Sequence, residues 1–138
     1  YEAFNRHDVN ALLPALSERF EYLDLAMNRK VQGTSPFKDY CKAVWTAFPD
    51  AKVEIKNMIA SGNYVITEYV FSGTHRGAVM SEALGREIPP TQKRAELPVC
   101  EVSRYENGKV VSIHGYSDAL TLIRQLGLES QFGQKLAA

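Results

Sequence analysis

The sequence predicts an α+β domain: a curved, cone-shaped antiparallel sheet with N-terminal helices packed over its concave face, an α+β barrel in outline. Three observations predict it. Residues 34–50 carry a helical apolar stripe, the period changes to two from Ala51 onward, and a late pair of strands is joined by Asn107-Gly108, a strong short-range hairpin signal.

Asp8 before "VNALLPAL" is placed to N-cap a short helix that Pro14 kinks or shortens. "RFEYLDL" and "RKVQG" read as short strands. In "TSPFKDYCKAVWTAFPD", Ser35 or Thr34 caps a helix, Pro36 sits in its first turn and Pro49 stops it. Phe37, Tyr40, Cys41, Val44, Trp45 and Phe48 follow i, i+3, i+4, i+7, i+8, i+11, so this helix must lie on something apolar. "AKVEIKNMIASG" and "NYVITEYVFSGTH" are strands around a Gly62-Asn63 turn. Residues 78–93, with a Pro-Pro pair and no sustained period, read as a long loop. "RAELPVCEVSRY" and "KVVSIHGYS" form the Asn-Gly hairpin, and "ALTLIRQLGL" is a closing helix that Gly127 ends.

No repeat, low-complexity tract or Gly/Ser linker divides the 138 residues, so one domain spans 1–138. Sixteen basic and sixteen acidic side chains cancel, and the only adjacent basic pairs are Arg29/Lys30 and Lys93/Arg94. Such a surface tracks neither a nucleic acid nor a membrane. No apolar run approaches the ~20 residues of a membrane span. The expectation is a cytoplasmic protein. Cys41 and Cys100 lack ligand-like spacing, and His7, His75 and His114 show no HxxxH or HExxH pattern, so no metal is expected. No GxSxG, P-loop or GxGxxG is present. Residues 64–71 are apolar on both faces while helices cover only one, which points to a homodimer through the other.

The hairpin carries the candidate chemistry. A two-residue turn predicts Glu106 facing Lys109, Tyr105 facing Val110, Ser103 facing Ser112 and Glu101 facing His114. One face then holds Glu101, Ser103, Tyr105, Ser112, His114, Tyr116 and Asp118. Turned into a cavity, these residues form a pocket wall; turned to water, they make a half-solvated sheet. In a dry pocket Glu101 would fix the charge state of His114, whereas at the surface the two are a cross-strand ion pair. Asp118 can also cap the last helix.

At "VWTAFPD", "IPPT", "NGKV" and "YSDALTLIRQLG" the chain resembles the SnoaL-like polyketide cyclases, part of a nuclear-transport-factor-like superfamily that includes ketosteroid isomerases. The similarity runs in order over nearly the whole chain. It implies an α+β cone that closes polyketide rings by intramolecular aldol condensation, with no metal or cofactor. By the resemblance Asp118 matches the family's acid/base aspartate, and His114 stands where the family often has tryptophan. Compared with ketosteroid isomerases, Asp24 resembles the general base and Glu101 the strand acid that donates to the oxyanion, while their first-helix tyrosine has no placed match. Asp24 can equally be a turn residue closing "EYLDLAMNRK".

The expected activity is therefore cofactor-independent acid/base chemistry on a small hydrophobic carbonyl compound, of cyclase or isomerase type. Asp118, His114, Glu101 and Asp24 are the candidate acid/base groups. Phe20, Tyr22, Trp45, Tyr69 and Tyr116 are candidate walls, Trp45 doubling as a core residue, and His75 stands either at the cavity mouth or in a solvated loop. A non-catalytic protein that binds an apolar ligand in the same pocket is the alternative, and an interaction domain with a packed interior a third.

Overall fold

The computed structural model describes residues 1–136. Helices α1 (Glu2–Asn5) and α2 (Val9–Leu12) open the chain, and Asp8 caps α2 by accepting from Ala11 N at 3.0 Å. A 3₁₀ turn at Leu13–Ala15 absorbs Pro14. Then come β1 (Leu16–Asp24), β2 (Arg29–Gln32), α3 (Thr34–Ala47), β3 (Lys52–Ser61) and β4 (Tyr64–Thr74). A small hairpin, β5 (Val79–Ser81) and β6 (Arg86–Ile88), precedes β7 (Arg94–Glu106), β8 (Lys109–Ser117), α4 (Ala119–Gln125) and α5 (Glu129–Leu136).

Six strands form one curved, open sheet in the order β2-β1-β8-β7-β4-β3, with β2 and β3 as its edges. The expected architecture is present, with four differences. The sheet is not wholly antiparallel, because β1 runs parallel to β8, a pairing between the two ends of the chain that no local turn signal announces. The cap of α3 is Gly33 at φ +92°, not Thr34 or Ser35, which both lie inside the helix. The segment 78–93 contains a hairpin, whose three-residue strands are too short to show a period. A further helix, α5, follows α4.

The end of α4 is a Schellman motif: Gly127, at φ +69°, donates to Arg124 O at 2.9 Å and Leu128 N to Ile123 O at 3.0 Å. At the other end of the sheet, Asn5 brackets Val53 with both amide atoms, donating to its carbonyl at 2.8 Å and accepting from its N–H at 2.7 Å. This fastens α1 to the edge strand β3.

The apolar stripe of α3 divides its labour. Phe37 meets Phe20 edge-on at 4.8 Å and Tyr22 at 5.5 Å, tying the helix to β1. Trp45 turns the other way, stacking on His7 at 5.0 Å and meeting Phe4 at 5.5 Å. Beyond β4, Arg76 N and Gly77 N both donate to Ala47 O, and the chain passes so close to α3 that a Cβ at Gly77 would lie 1.9 Å from Thr46 O. Among the described residues no helix is long and apolar enough to cross a membrane.

Candidate active site

Between the helices and the concave sheet lies a cavity of about 400 Å³. Its polar groups stand on neighbouring strands. The β4–β7 register pairs Thr67 with Glu101, the β7–β8 register pairs Glu101 with Gly115, and the β1–β8 register pairs Gly115 with Asp24. These residues form one row across the floor, and Glu101, Gly115 and Asp24 all line the cavity. The two carboxylate residues are separated by a single strand, which places their α-carbons about 10 Å apart at the usual strand spacing.

Glu101 is 7% exposed. Tyr1 OH donates to its Oε2 at 2.6 Å and Tyr69 OH to its Oε1 at 2.8 Å. Burial raises the Glu101 carboxyl above its ordinary value; the two phenols act against this and the charge of Asp24 adds to it. The phenols of Tyr69 and Tyr22 are raised well above the ordinary tyrosine range by burial, with the Glu101 charge contributing to both, and Tyr40 is pushed up to about 12 by burial. All three stay protonated donors at neutral pH. Asp24 stands half-buried at the end of β1, its Oδ1 accepting from Met27 N at 3.1 Å, so it both closes the β1–β2 turn and lines the cavity. Phe37, Tyr40, Val44, Phe48 and Phe71 supply apolar wall.

The expected convergence of Glu101 with His114, Tyr116 and Asp118 is not what the hairpin makes. Next to the turn the predicted pairs hold, Glu106 opposite Lys109 and Tyr105 opposite Val110. Val111 is then an extra residue on β8, and beyond this bulge Ser103 faces Ile113, Glu101 faces Gly115 and Val102 faces His114. A one-residue slip exchanges the faces of a strand. Ile113, Gly115 and Ser117 therefore line the cavity, while His114 and Tyr116 point to the outer face, Tyr116 being 48% exposed.

Asp118 is exposed and lies outside the cavity lining. Its Oδ1 accepts from Thr121 N at 3.0 Å and its Oδ2 from Thr121 OH at 2.6 Å, which caps α4 and holds the carboxyl below its usual value.

Of the candidate walls, Tyr22 and Tyr69 line the cavity. Phe20, fully buried, is packed core behind it, and Trp45 is core against α1. His75 is neither at the mouth nor solvated. It is 0% exposed, packs on Phe48 at 5.4 Å and accepts from Thr91 N at 3.2 Å through Nδ1, with burial pushing the imidazole down. Ser103 and Tyr105 line the cavity on the Glu101 face of the hairpin, as expected, while Tyr1, Tyr40 and Gly115 line it without having been marked as site residues in the sequence. Parity from Glu101 alone reaches Ser103 and Tyr105; nothing local announces Tyr1. Among the described residues no three His, Cys, Asp or Glu side chains cluster as a metal site would need.

A family model for SnoaL-like polyketide cyclases matches residues 1–126. The chain belongs to that family. Solved structures with the SnoaL-like fold superpose over most of it. IdmH, a candidate polyketide cyclase from Streptomyces antibioticus, is 24% identical with a TM-score of 0.75 and covers 92% of each chain. AclR, a candidate hydroxylase from Streptomyces galilaeus, is also 24% identical at a TM-score of 0.75, covering 91% of this chain and 88% of its own. A hypothetical protein from Catenulispora acidiphila with a ketosteroid isomerase-like fold, solved with trimethylamine, is 19% identical at a TM-score of 0.76 over 94% and 89%. No curated protein matches the sequence. At these identities the likeness establishes the fold.

Proposed function

We propose that this SnoaL-like domain performs cofactor-independent proton transfer beside the carbonyl of a hydrophobic compound, closing or isomerising a ring. Asp24 takes the proton, and the protonated Glu101 carboxyl, itself held by Tyr1 and Tyr69, donates to the oxygen of the resulting enolate. The observation that carries this reading is one buried carboxyl, bridged by two phenols, in an apolar cavity of about 400 Å³ whose lining holds a second carboxylate. Two carboxyl groups in unlike surroundings are the means by which one site holds both an acid and a base near neutral pH. A preorganised donor in a dry site stabilises enolate charge far more than water does.

Among the described residues the lining includes no Lys, Arg or His, so a carboxylate or phosphate on the ligand would be desolvated beside two acids with no cationic side chain in the wall. This favours a neutral ligand. A homodimer belongs to the same proposal. The outer sheet face presents Ile59, Ile66 and Tyr64, between 39% and 53% exposed, beside Val102 and Tyr116, an apolar area of the kind that a second copy covers. Sedimentation should return twice the monomer mass, and Ile66→Lys the monomer.

The test of the chemistry is exchange of α-protons of neutral apolar cyclic ketones in heavy water, followed by NMR. Exchange above the solvent background is expected for the unmodified chain, falling about 10²- to 10⁴-fold in Asp24→Asn and in Glu101→Gln with ligand binding retained. Binding without exchange would replace the enzyme by a carrier of apolar ligands, and equal exchange in both variants would end the reading.

A further inference from the structure

Gly115 lies inside β8, two residues before its end, and glycine within a strand costs about 0.5–1 kcal/mol relative to alanine. Its backbone does not require it, because Gly115 is not among the positive-φ residues. Nor does a crowded backbone, since the nearest main-chain atom to a Cβ built there would be Leu23 O at an ordinary 3.7 Å. What the missing side chain admits is the Tyr22 hydroxyl, which would stand 3.2 Å from that Cβ. A glycine inside a strand often marks a place that something must approach closely. Here that something is a phenol leaning along the sheet from β1 to a point over β8, in the row where Glu101 stands on one side and Asp24 on the other.

The ring is held from two further sides, 5.5 Å from Phe37 and 5.2 Å from Tyr40, so the hydroxyl has little freedom to leave. Burial keeps it protonated. Unlike Tyr1 and Tyr69, which both donate to Glu101, Tyr22 is hydrogen-bonded to the Tyr40 hydroxyl, an acceptor that a ligand oxygen would replace.

We infer that Tyr22 is a catalytic residue whose hydroxyl donates to the substrate oxygen between Asp24 and Glu101, and that Gly115 is the positioning residue that makes room for it. This rests on the proton-transfer reading of the cavity for its catalytic part only; the contact itself is a statement about binding. A ligand oxygen seated over Gly115 would receive the Tyr22 proton donor from one side and face the Glu101 cluster on the other. The carbon next to it would lie toward Asp24. No bond other than the C–H bond need break for the enolate to form.

Two measurements test it. The first uses 2-naphthol and naphthalene as probes, read by their own fluorescence. The unmodified chain should prefer 2-naphthol, and Tyr22→Phe should lose about tenfold of that preference while binding naphthalene unchanged. The second is a double-mutant cycle on ketone exchange. Tyr22→Phe should slow exchange about 10²-fold, the scale of one lost oxyanion donor. Gly115→Ala should slow it about tenfold by displacing the hydroxyl a few tenths of an ångström. The double variant should match Tyr22→Phe alone, because a phenylalanine has no oxygen for the new methyl group to push.

An unchanged 2-naphthol preference in Tyr22→Phe would overturn the inference, as would a double variant whose two effects simply multiply. Failure of 2-naphthol to bind the unmodified chain would overturn it together with the cavity reading. If instead Asp24→Asn and Glu101→Gln leave exchange untouched, the proposed chemistry falls while the probe preference still decides whether Tyr22 touches the ligand.

Discussion

The two faces of β8 carry nearly the same number of residues and have opposite fates. Inward lie Val110, Ile113, Gly115 and Ser117, small or apolar; outward lie Ser112, His114 and Tyr116, the side chains with visible chemistry. Binding and catalysis are assigned here to the plainer face. An ionisable side chain advertises reactivity only if it is desolvated, and desolvation is decided by the register of the strand, which one inserted residue reverses. Glu101 and His114 show the difference within a single hairpin: the former is buried and shifted by that burial, the latter sits one residue out of phase with it.

The largest way to break this comparison is to shift the register beyond the bulge. Inserting one alanine after Val111 should move Ser112 opposite Ser103 and His114 opposite Glu101, driving Ser112 and His114 inward and Ile113 and Gly115 outward. Burying those polar groups without partners should cost on the order of 3 kcal/mol, visible as an early thermal melt and as loss of 2-naphthol binding. Retention of both stability and binding would show that this register does not set the faces.

Glu101 offers an effect of middle size. Its carboxyl is raised in the folded chain, so between the ordinary glutamate value and the raised one the folded protein holds a proton that the unfolded protein has released. Stability must therefore fall as pH rises across that interval and level off above it. Melting temperatures recorded across the acid-to-neutral range should show this decline, and Glu101→Gln should flatten it. A variant as pH-sensitive as the parent would mean that the proton resides elsewhere.

The smallest effect belongs to Asp118. Asp118→Ala should remove the α4 cap and lower the melting temperature by a few degrees, leaving ketone exchange per folded molecule unchanged. A loss of exchange without a change in the melt would return Asp118 to the chemistry that its position before the last helix suggests.

The architecture was legible because its signals are local and periodic. The stripe from Phe37 to Phe48, the Asp8 cap and the Asn107-Gly108 turn each need only a few adjacent residues. The site was half legible. Asp24 and Glu101 could be marked from resemblance, and Tyr22 and Tyr69 from residue type. Their row could not, because it depends on the parallel pairing of β1 with β8, which joins residues about 90 apart, and on a bulge at a valine that looks like any strand residue. Tyr1 reaches Glu101 across 100 positions, from the start of the helix α1 that Asn5 fastens to β3.

The near-contact of Gly77 with the end of α3 divides the protein by its tolerance of insertion. Any side chain at 77 would press on the Thr46 carbonyl and prise the helix from Phe48, a cavity wall, so the chain is pinned at that crossing. From there to β7 it is anchored again at the tip between Ser81 and Arg86, where Leu84 packs against the core and Glu82 pairs with Arg29, whose guanidinium lies over the Tyr40 ring of the cavity wall. Extra residues belong instead at the exposed Gly62-Asn63 turn, where they add closure entropy only slowly, which makes that turn the natural handle for immobilising or labelling this domain.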